Sequence, residues 1–417
     1  MKYLAIPLII VLIGVACVAC NGDDDGTKAQ ETQGPTTPVE DVVITIGNIT
    51  DRTGPAASAF QYMDMALEDT IRYYNENNLI PGVELKLVAY DTQYDTSKII
   101  VGYNYIMGKG ADIITSFLPI TPEILNPNVN KDEMVLFTAN ANTEFLEPPG
   151  YVFAWCTIWE EYSYTLLKWI AENHWDYEAN GPAKIGGAGW NDASVILMFS
   201  AAKEYAEAHP DQFEWTEGYI TEFKFSWDPE VEALKDCDYI FLPTLMHMFT
   251  SDYIKAGYDK ATFLANESQT AFLGIMTQSG RWDEIDGTLF IMVGPNWGQG
   301  LEELIPISNE LLTSYHPNDA EEIKEAGGRS YAACIYFDEM LQMIKKMAEE
   351  IGPQNINSKT IYNAVQTWQK GIEEVPDFGN FSPTKRIGFN YLLVLEADAE
   401  AETLLTASDW LPVVHEP

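Results

Sequence analysis

The chain has 417 residues, enough for two domains of ordinary size, and 46% of them are hydrophobic and 12% aromatic, which excludes global disorder. Its 63 acidic residues against 24 basic ones give a formal net charge of −39. Such a surface repels nucleic-acid phosphates and anionic headgroups and excludes both as electrostatic partners; a solubility-driven surface on an exported protein and adaptation to salty surroundings both account for it.

Residues 1–20 read as an export signal. Lys2 gives a positive start, and residues 4–15 form an apolar run too short to span a bilayer comfortably. The run ends in Val15-Ala16-Cys17-Val18-Ala19-Cys20, which resembles the lipobox of bacterial lipoproteins. That resemblance implies acylation of Cys20, since polar Asn21-Gly22-Asp23-Asp24-Asp25 starts directly after it. Neither Cys17 nor Cys20 has the preferred leucine three positions upstream, and a plain cleaved secretory signal is the alternative. Residues 21–40 hold almost nothing apolar. They cannot bury surface to offset their ordering entropy, so a flexible tether is expected.

The globular body begins with the β-branched run Val42-Val43-Ile44-Thr45-Ile46, a strand buried on both faces. A polar loop over 48–54 and Pro55 follow, and then Phe60, Met63, Leu67, Ile71 and Tyr74 at helical spacing. The loop lacks both the glycine-rich dinucleotide fingerprint and the P-loop lysine. Residues 83–90 form a second strand, Asp95 caps the next helix, and Gly108 and Gly110 end it. Strands over 111–117 and 134–138 follow, the first with Pro122 opening a short helix after it, and 151–156 forms a further strand. The alternation then restarts: a helix through Leu166, Trp169 and Ile170, strand 183–188, a helix over 191–208, and strands over 239–242, 263–267 and 288–293. A long helix over 329–349 and a hairpin within 382–395 close the chain.

Three passages carry a specific resemblance. The strand ending in Thr53-Gly54-Pro55, the passage DTQYDTSKIIVGYNYIMGKGADIITSF over 91–117, and TEGYITEFKFSWDPEVEALKDCDYIFLP over 216–243 resemble the branched-chain amino-acid type of periplasmic solute-binding protein. The resemblance covers nearly the whole chain after residue 40. It implies an α/β fold of two Rossmann-like lobes with parallel sheets, joined by three hinge crossings. Lobe one would hold 41–155 and 294–380, and lobe two 156–293 and 381–417. It further implies an extracytoplasmic, lipid-anchored protein that captures an amino acid, amide or carboxylate and delivers it to the permease of an ABC importer. A ligand-sensing receptor with the same fold is the nearest rival reading, and a secreted hydrolase the other.

Catalytic signatures are missing: there is no HExxH, GxSxG, Walker A or pair of Cys-x-x-Cys motifs. The five histidines are scattered without metal-ligand spacing. No enzyme activity, cofactor or metal is therefore expected, and Cys156, Cys237 and Cys334 read as buried free thiols. A ligand held between lobes needs hydroxyl, amide and backbone donors at strand ends and aromatic walls. Lobe one offers Thr53, Ser116, Leu118, Thr121, Asn140 and Asn142. By the resemblance, the ends of its third and fourth strands, 116–121 and 139–142, would hold a carboxylate. Lobe two offers Trp190, Asn191, Asp192 and His247, and Trp297 follows the returning strand. Amino-acid binders of this type place an acid after a buried lobe-two strand to hold the ammonium. The loop over 243–248 has no carboxylate, and His247 stands nearest that place. Asp192, one loop away, could supply the charge, but a ligand without an α-ammonium is expected. The N-terminal reading makes a direct prediction: Cys20→Ser, with Cys17 kept, moves the protein from the membrane to the soluble fraction. Retention on membranes would assign the anchor to Cys17 or to an uncleaved signal.

Overall fold

The structure, a computed structural model, describes residues 41–326 and 329–417. The export signal, the tether and Cys20 lie outside the described residues. Among the described residues, no helix is long and apolar enough to cross a membrane.

The first sheet is built from five parallel strands in the order β2-β1-β3-β4-β5. These are β1 (Val42–Thr50), β2 (Val83–Asp91), β3 (Ile113–Ser116), β4 (Leu136–Thr138) and β5 (Val152–Ala154). Between them run α1 (Ala57–Glu76), α2 (Ile99–Gly108), α3 (Thr121–Asp132) and the single turn α4 (Thr143–Leu146). β1 is longer than its apolar run predicts, because Asn48 and Thr50 are buried with it. α2 lies so close on β1 that a Cβ at Gly47 would sit 2.2 Å from the Ile106 side chain. Pro55 stays outside α1: Asp51 accepts from the backbone N–H of Gly54 and, at 2.9 Å, of Ala56, and the helix starts two residues after the proline. Asp95 accepts from Ser97 N–H at 2.9 Å, capping a 3₁₀ turn that leads into α2.

The second sheet is mixed, in the order β14-β13-β10-β9-β8-β6-β7 with β15 beside β13. β6 (Ala183–Trp190), β7 (Phe213–Thr221), β8 (Tyr239–Phe241), β9 (Thr262–Asn266) and β10 (Leu289–Met292) are parallel. β13 (Tyr391–Asp398), β14 (Thr403–Thr406) and β15 (Leu411–Pro412) add antiparallel pairs, which makes this sheet mixed. A small two-stranded sheet, β11 (Gln369–Lys370) with β12 (Gly379–Asn380), stands apart. The closing hairpin is β13–β14, over 391–406; residues 382–390 instead run beside β5.

Helices of the second half are α5 (Trp159–Asn173), α6 (Tyr177–Asn180), α7 (Ala193–Ala208), α8 (Asp228–Leu234), α9 (Met246–Lys255), α10 (Glu267–Thr270) and α11 (Leu273–Ser279). α12 (Leu301–Leu304), α13 (Pro306–Tyr315), α14 (Ala320–Ala326), α15 (Cys334–Ile351) and α16 (Ser358–Val365) follow. α13 and α15 pack on α1, which returns this part of the chain to the first sheet. Asp69 of α1 ties them in, accepting from the Tyr331 hydroxyl at 2.8 Å and facing His316 Nε2 at 2.6 Å. Cys156, Cys237 and Cys334 are buried and free, as the sequence indicates.

The chain passes between the two sheets where 154–156 runs alongside 386–389. Ala154 N–H donates to Arg386 O (2.8 Å), Gly388 N–H to Ala154 O (2.7 Å) and Phe389 N–H to Trp155 O (2.9 Å). The Arg386 side chain, 2% exposed, lies over the Phe153 ring at 4.5 Å. It donates to Gly150 O, Ser382 O and the Tyr362 hydroxyl at 2.8, 2.5 and 2.8 Å. Arg386→Ala should therefore lower the unfolding free energy by about 3 kcal/mol, through orphaned acceptors and lost packing. Arg386→Met should recover part of it by keeping the stack, and urea unfolding measures both. A loss below about 1 kcal/mol would show that the passage does not depend on this side chain.

Candidate functional site

Parallel strands end in loops that cannot continue the ladder, and in open α/β sheets those carboxyl ends form the ligand crevice. Here the strand ends of both sheets contribute to one cavity of about 190 Å³. This is smaller than the roughly 300–1,000 Å³ of pockets that take drug-sized ligands, so it suits a compact solute. From the first sheet come Phe60 and Met63 of α1, Tyr94 after β2, Phe117 after β3, and Thr138 to Asn140 after β4. From the second come Asp192 after β6, Thr244 after β8, Glu267 after β9 and Val293 after β10. Trp159 opens α5, Phe389 precedes β13, and Arg329 to Tyr336 lead into α15.

Most of the wall is aromatic or aliphatic. Phe117 packs against Tyr336 at 5.4 Å between ring centroids, and Tyr336 against Phe389 at 6.2 Å. Such rings exclude water and give any polar group among them greater electrostatic weight. Three charged side chains line the cavity: Asp192, Glu267 and Arg329. Glu267 is the first residue of α10, placed there by a capping box on Asn266. One of its oxygens accepts from Val293 N–H at 3.0 Å and the other from the Tyr162 hydroxyl at 2.9 Å. Arg329 donates through Nη1 to Gly294 O. Burial pushes its guanidinium down from the ordinary value, and the Glu267 charge works against that. Beside them the Cys156 sulfur lies 3.2 Å from the Tyr336 hydroxyl. Burial, and then Glu267, push the Cys156 thiol and the Tyr162 phenol well up, so both stay protonated. The buried Ser330 hydroxyl has no partner among the described residues. Tyr94, at a left-handed φ of 57°, is pushed up to about 12 by burial and then by Asp192, which stands on the other sheet's loop.

Of the residues expected from sequence, Asn140 and Asp192 line this cavity. Asn140 donates to Thr157 O at 2.8 Å, and Asp192 caps α7 by accepting from Val195 N–H at 3.1 Å. The others serve the fold. Thr53 donates to Asp91 at 2.6 Å, and Ser116 donates to Ile49 O at 2.8 Å and pairs with Thr121 at 2.9 Å. Leu118 is buried in the first sheet's core, and Asn142 precedes α4. Trp190 packs on Phe223 at 4.7 Å, and exposed Asn191 reaches Glu222 at 3.4 Å. His247 lies in the first turn of α9, its carbonyl accepting from Arg281 at 2.8 Å. Burial, and then Arg281, hold its imidazole below the usual value. Trp297 carries Lys324 over its ring at 5.3 Å.

Two residues the sequence reading passed over are Glu267 and Arg329. Glu267 reads as the last residue of a strand, whereas it is the first beyond it. The loop over 243–248, after β8, holds no carboxylate, and Glu267 follows the next strand, β9. Arg329 reads as the start of a long helix, whereas a 3₁₀ turn (Ser330–Ala333) separates it from α15 and leaves it on the cavity wall.

Residues 43–208 match the periplasmic binding protein family. A search of curated protein sequences gives no match. Among solved structures, a branched-chain amino acid ABC transporter protein from Thermus thermophilus with bound valine is similar at a TM-score of 0.74 and 17% identity, over 89% of this chain and 97% of that one. A possible leucine/isoleucine/valine-binding protein from Rhodopirellula baltica is similar at 0.72 and 14%, over 89% and 98%. A solute-binding protein of an ABC transporter from Rhodopseudomonas palustris, in complex with 3,4-dihydroxybenzoic acid, is similar at 0.67 and 13%, over 90% and 99%.

The hydrogen bonds of Glu267 yield a stability test. Glu267→Ala should cost about 2 kcal/mol in urea unfolding, because it strips the acceptor from the Val293 N–H and the Tyr162 hydroxyl. Glu267→Gln, which keeps one acceptor oxygen, should cost less than half of that. Equal losses would mean that the carboxylate charge, not its hydrogen bonds, sustains this corner.

Proposed function

We infer, from a fold like that of the type I periplasmic binding proteins and a family match over residues 43–208, an extracytoplasmic solute-binding protein that serves an ABC importer. The observation that carries this reading is the small cavity walled by strand ends of both sheets. The similar structures that belong to ABC transporters support the transporter role. The two lobes are 41–155 with 294–380, and 156–293 with 381–417. The solute is an amino acid, amide or carboxylate, and the protein makes and breaks no bond. Binding energy comes from burying an apolar body among Phe117, Trp159, Tyr336 and Phe389 and from satisfying a few polar groups. The lobes rotate closed on the solute, and the permease receives the closed form. Cys20 carries the lipid that keeps the protein at the membrane.

A thermal-shift screen over amino acids, amides and small aliphatic and aromatic acids tests this. A true solute raises the melting temperature, since at about 100 times its Kd it adds roughly 2.7 kcal/mol to native stability. X-ray scattering with the strongest stabiliser should then give a smaller radius of gyration than the free protein. An unchanged radius at saturation would rule out closure by lobe rotation.

A further inference from the structure

The chain holds five arginines against 63 acidic residues. Arg52 pairs with Asp64 at 2.6 Å and Glu68 at 2.9 Å, Arg72 with Glu76 at 2.8 Å, and Arg281 with Glu284. Arg386 has no ion pair, but its three hydrogen bonds and the Phe153 stack engage its whole head group. Arg329 differs from all four. Among the described residues it makes one side-chain hydrogen bond, from Nη1 to Gly294 O, and no direct ion pair. Arg329 lines the cavity, and its other donors have no protein acceptor among the described residues.

An unpaired guanidinium among aromatic walls is costly unless something completes its hydrogen bonds. Glu267, whose charge acts on it, does not: among the described residues no hydrogen bond or ion pair joins the two, and its oxygens accept from Val293 N–H and from the Tyr162 hydroxyl. It supports the arginine's charge from a distance without occupying its donors. The adjacent Ser330 hydroxyl, buried and without a partner among the described residues, supplies one more donor on the same wall. A fork of donors fits a planar oxyanion in bidentate fashion.

We propose that Arg329 is the anion anchor of this cavity, and that the solute is a carboxylate with an apolar body. The proposal rests on the solute-binding reading above and turns the expected orientation around. The carboxylate sits beside Arg329 and Ser330, near the ends of β9 and β10. It does not sit at the ends of β3 and β4, where the Ser116 and Thr121 hydroxyls already bond each other. The apolar body then lies against Phe117, Trp159 and Phe389.

The test is a matched series: 4-methylpentanoate, 4-methylpentanamide and 3-methylbutylamine, with benzoate, benzamide and benzylamine beside them. Binding to the full chain is measured by calorimetry, and folding of each variant by its urea midpoint. For the wild type, at least one acid should bind about 100-fold tighter than its amide. Arg329→Gln should abolish that preference while changing amide binding by less than about tenfold. Arg329→Lys, which keeps the charge but not the fork, should retain only part of it. Should Arg329→Gln not fold, the Lys variant and the wild-type acid-to-amide ratio still decide the matter. Tighter binding of an amide or amine than of its acid, or an acid preference that survives in Arg329→Gln, overturns the anchor and leaves the solute-binding reading standing. If nothing in this series or in the wider screen binds, both readings fall together.

Discussion

The structure depends on how the chain passes between two sheets without leaving peptide groups unpaired. Buried N–H and C=O groups need partners, and at the passage neither sheet's own ladder can supply them. The solution is mutual: 154–155 and 386–389 hydrogen-bond to each other in a short parallel run. Trp155, 1% exposed, seals it, stacked on Phe137 at 4.7 Å and edge-on to Trp368 at 5.2 Å. The approach requires glycine at 388, where a Cβ would lie 2.6 Å from Trp155 O. Cavity residues Cys156, Trp159 and Phe389 sit just beyond these bonds, so the passage sets the wall as well as the fold.

The same economy governs polar groups around the cavity. Hydroxyls and amides at strand ends find acceptors close by in the backbone, and a satisfied group has little left to offer a ligand. Ser116, Thr121 and Thr53 are of this kind. Glu267 shows the charged version, a carboxylate held by one N–H and one phenol that fixes α10 against the end of β10. Its field keeps the Cys156 thiol and the Tyr162 and Tyr336 hydroxyls protonated, on top of what burial does. The result is a set of protonated groups beside one guanidinium, with Glu267 held by its own hydrogen bonds.

The fold was legible because periodicity and turn chemistry are local. The run 42–46, the spacing from Phe60 to Tyr74, the Asp95 cap and Pro122 each foretell an element the structure contains. Where the reading slipped, Asp51 holds the loop around Pro55, and the closing hairpin falls over 391–406 because β13 pairs with β10 and β14, a long-range choice no window of residues reveals. The cavity was much less legible. Its wall gathers residues from 56 to 389, and whether a polar side chain faces it turns on single positions. Glu267 hid behind a strand boundary one residue off. Arg329 hid behind a 3₁₀ turn that reads, by composition, as helix. Trp190 and His247 were drawn in by residue type, yet Trp190 packs on Phe223 and His247 turns with α9 toward Arg281.

A net charge of −39 raises the question of how such a chain could favour an anion at all. At physiological ionic strength the field of an exposed carboxylate is screened within about 8 Å. The surface total therefore governs solubility and approach, while the choice of ligand is made by groups inside the cavity. There the chain places two carboxylates and one guanidinium. Both oxygens of Glu267 are engaged, and Asp192 is turned to the α7 backbone through one of its own. Among the described residues, most of the guanidinium's donors have no protein partner. In a site walled by Phe117, Trp159 and Phe389, unsatisfied donors outweigh distant surface charge, because each lost hydrogen bond there costs its full desolvation. An acidic exterior and a cationic contact point inside are thus compatible, one acting through screened water and the other through direct contact.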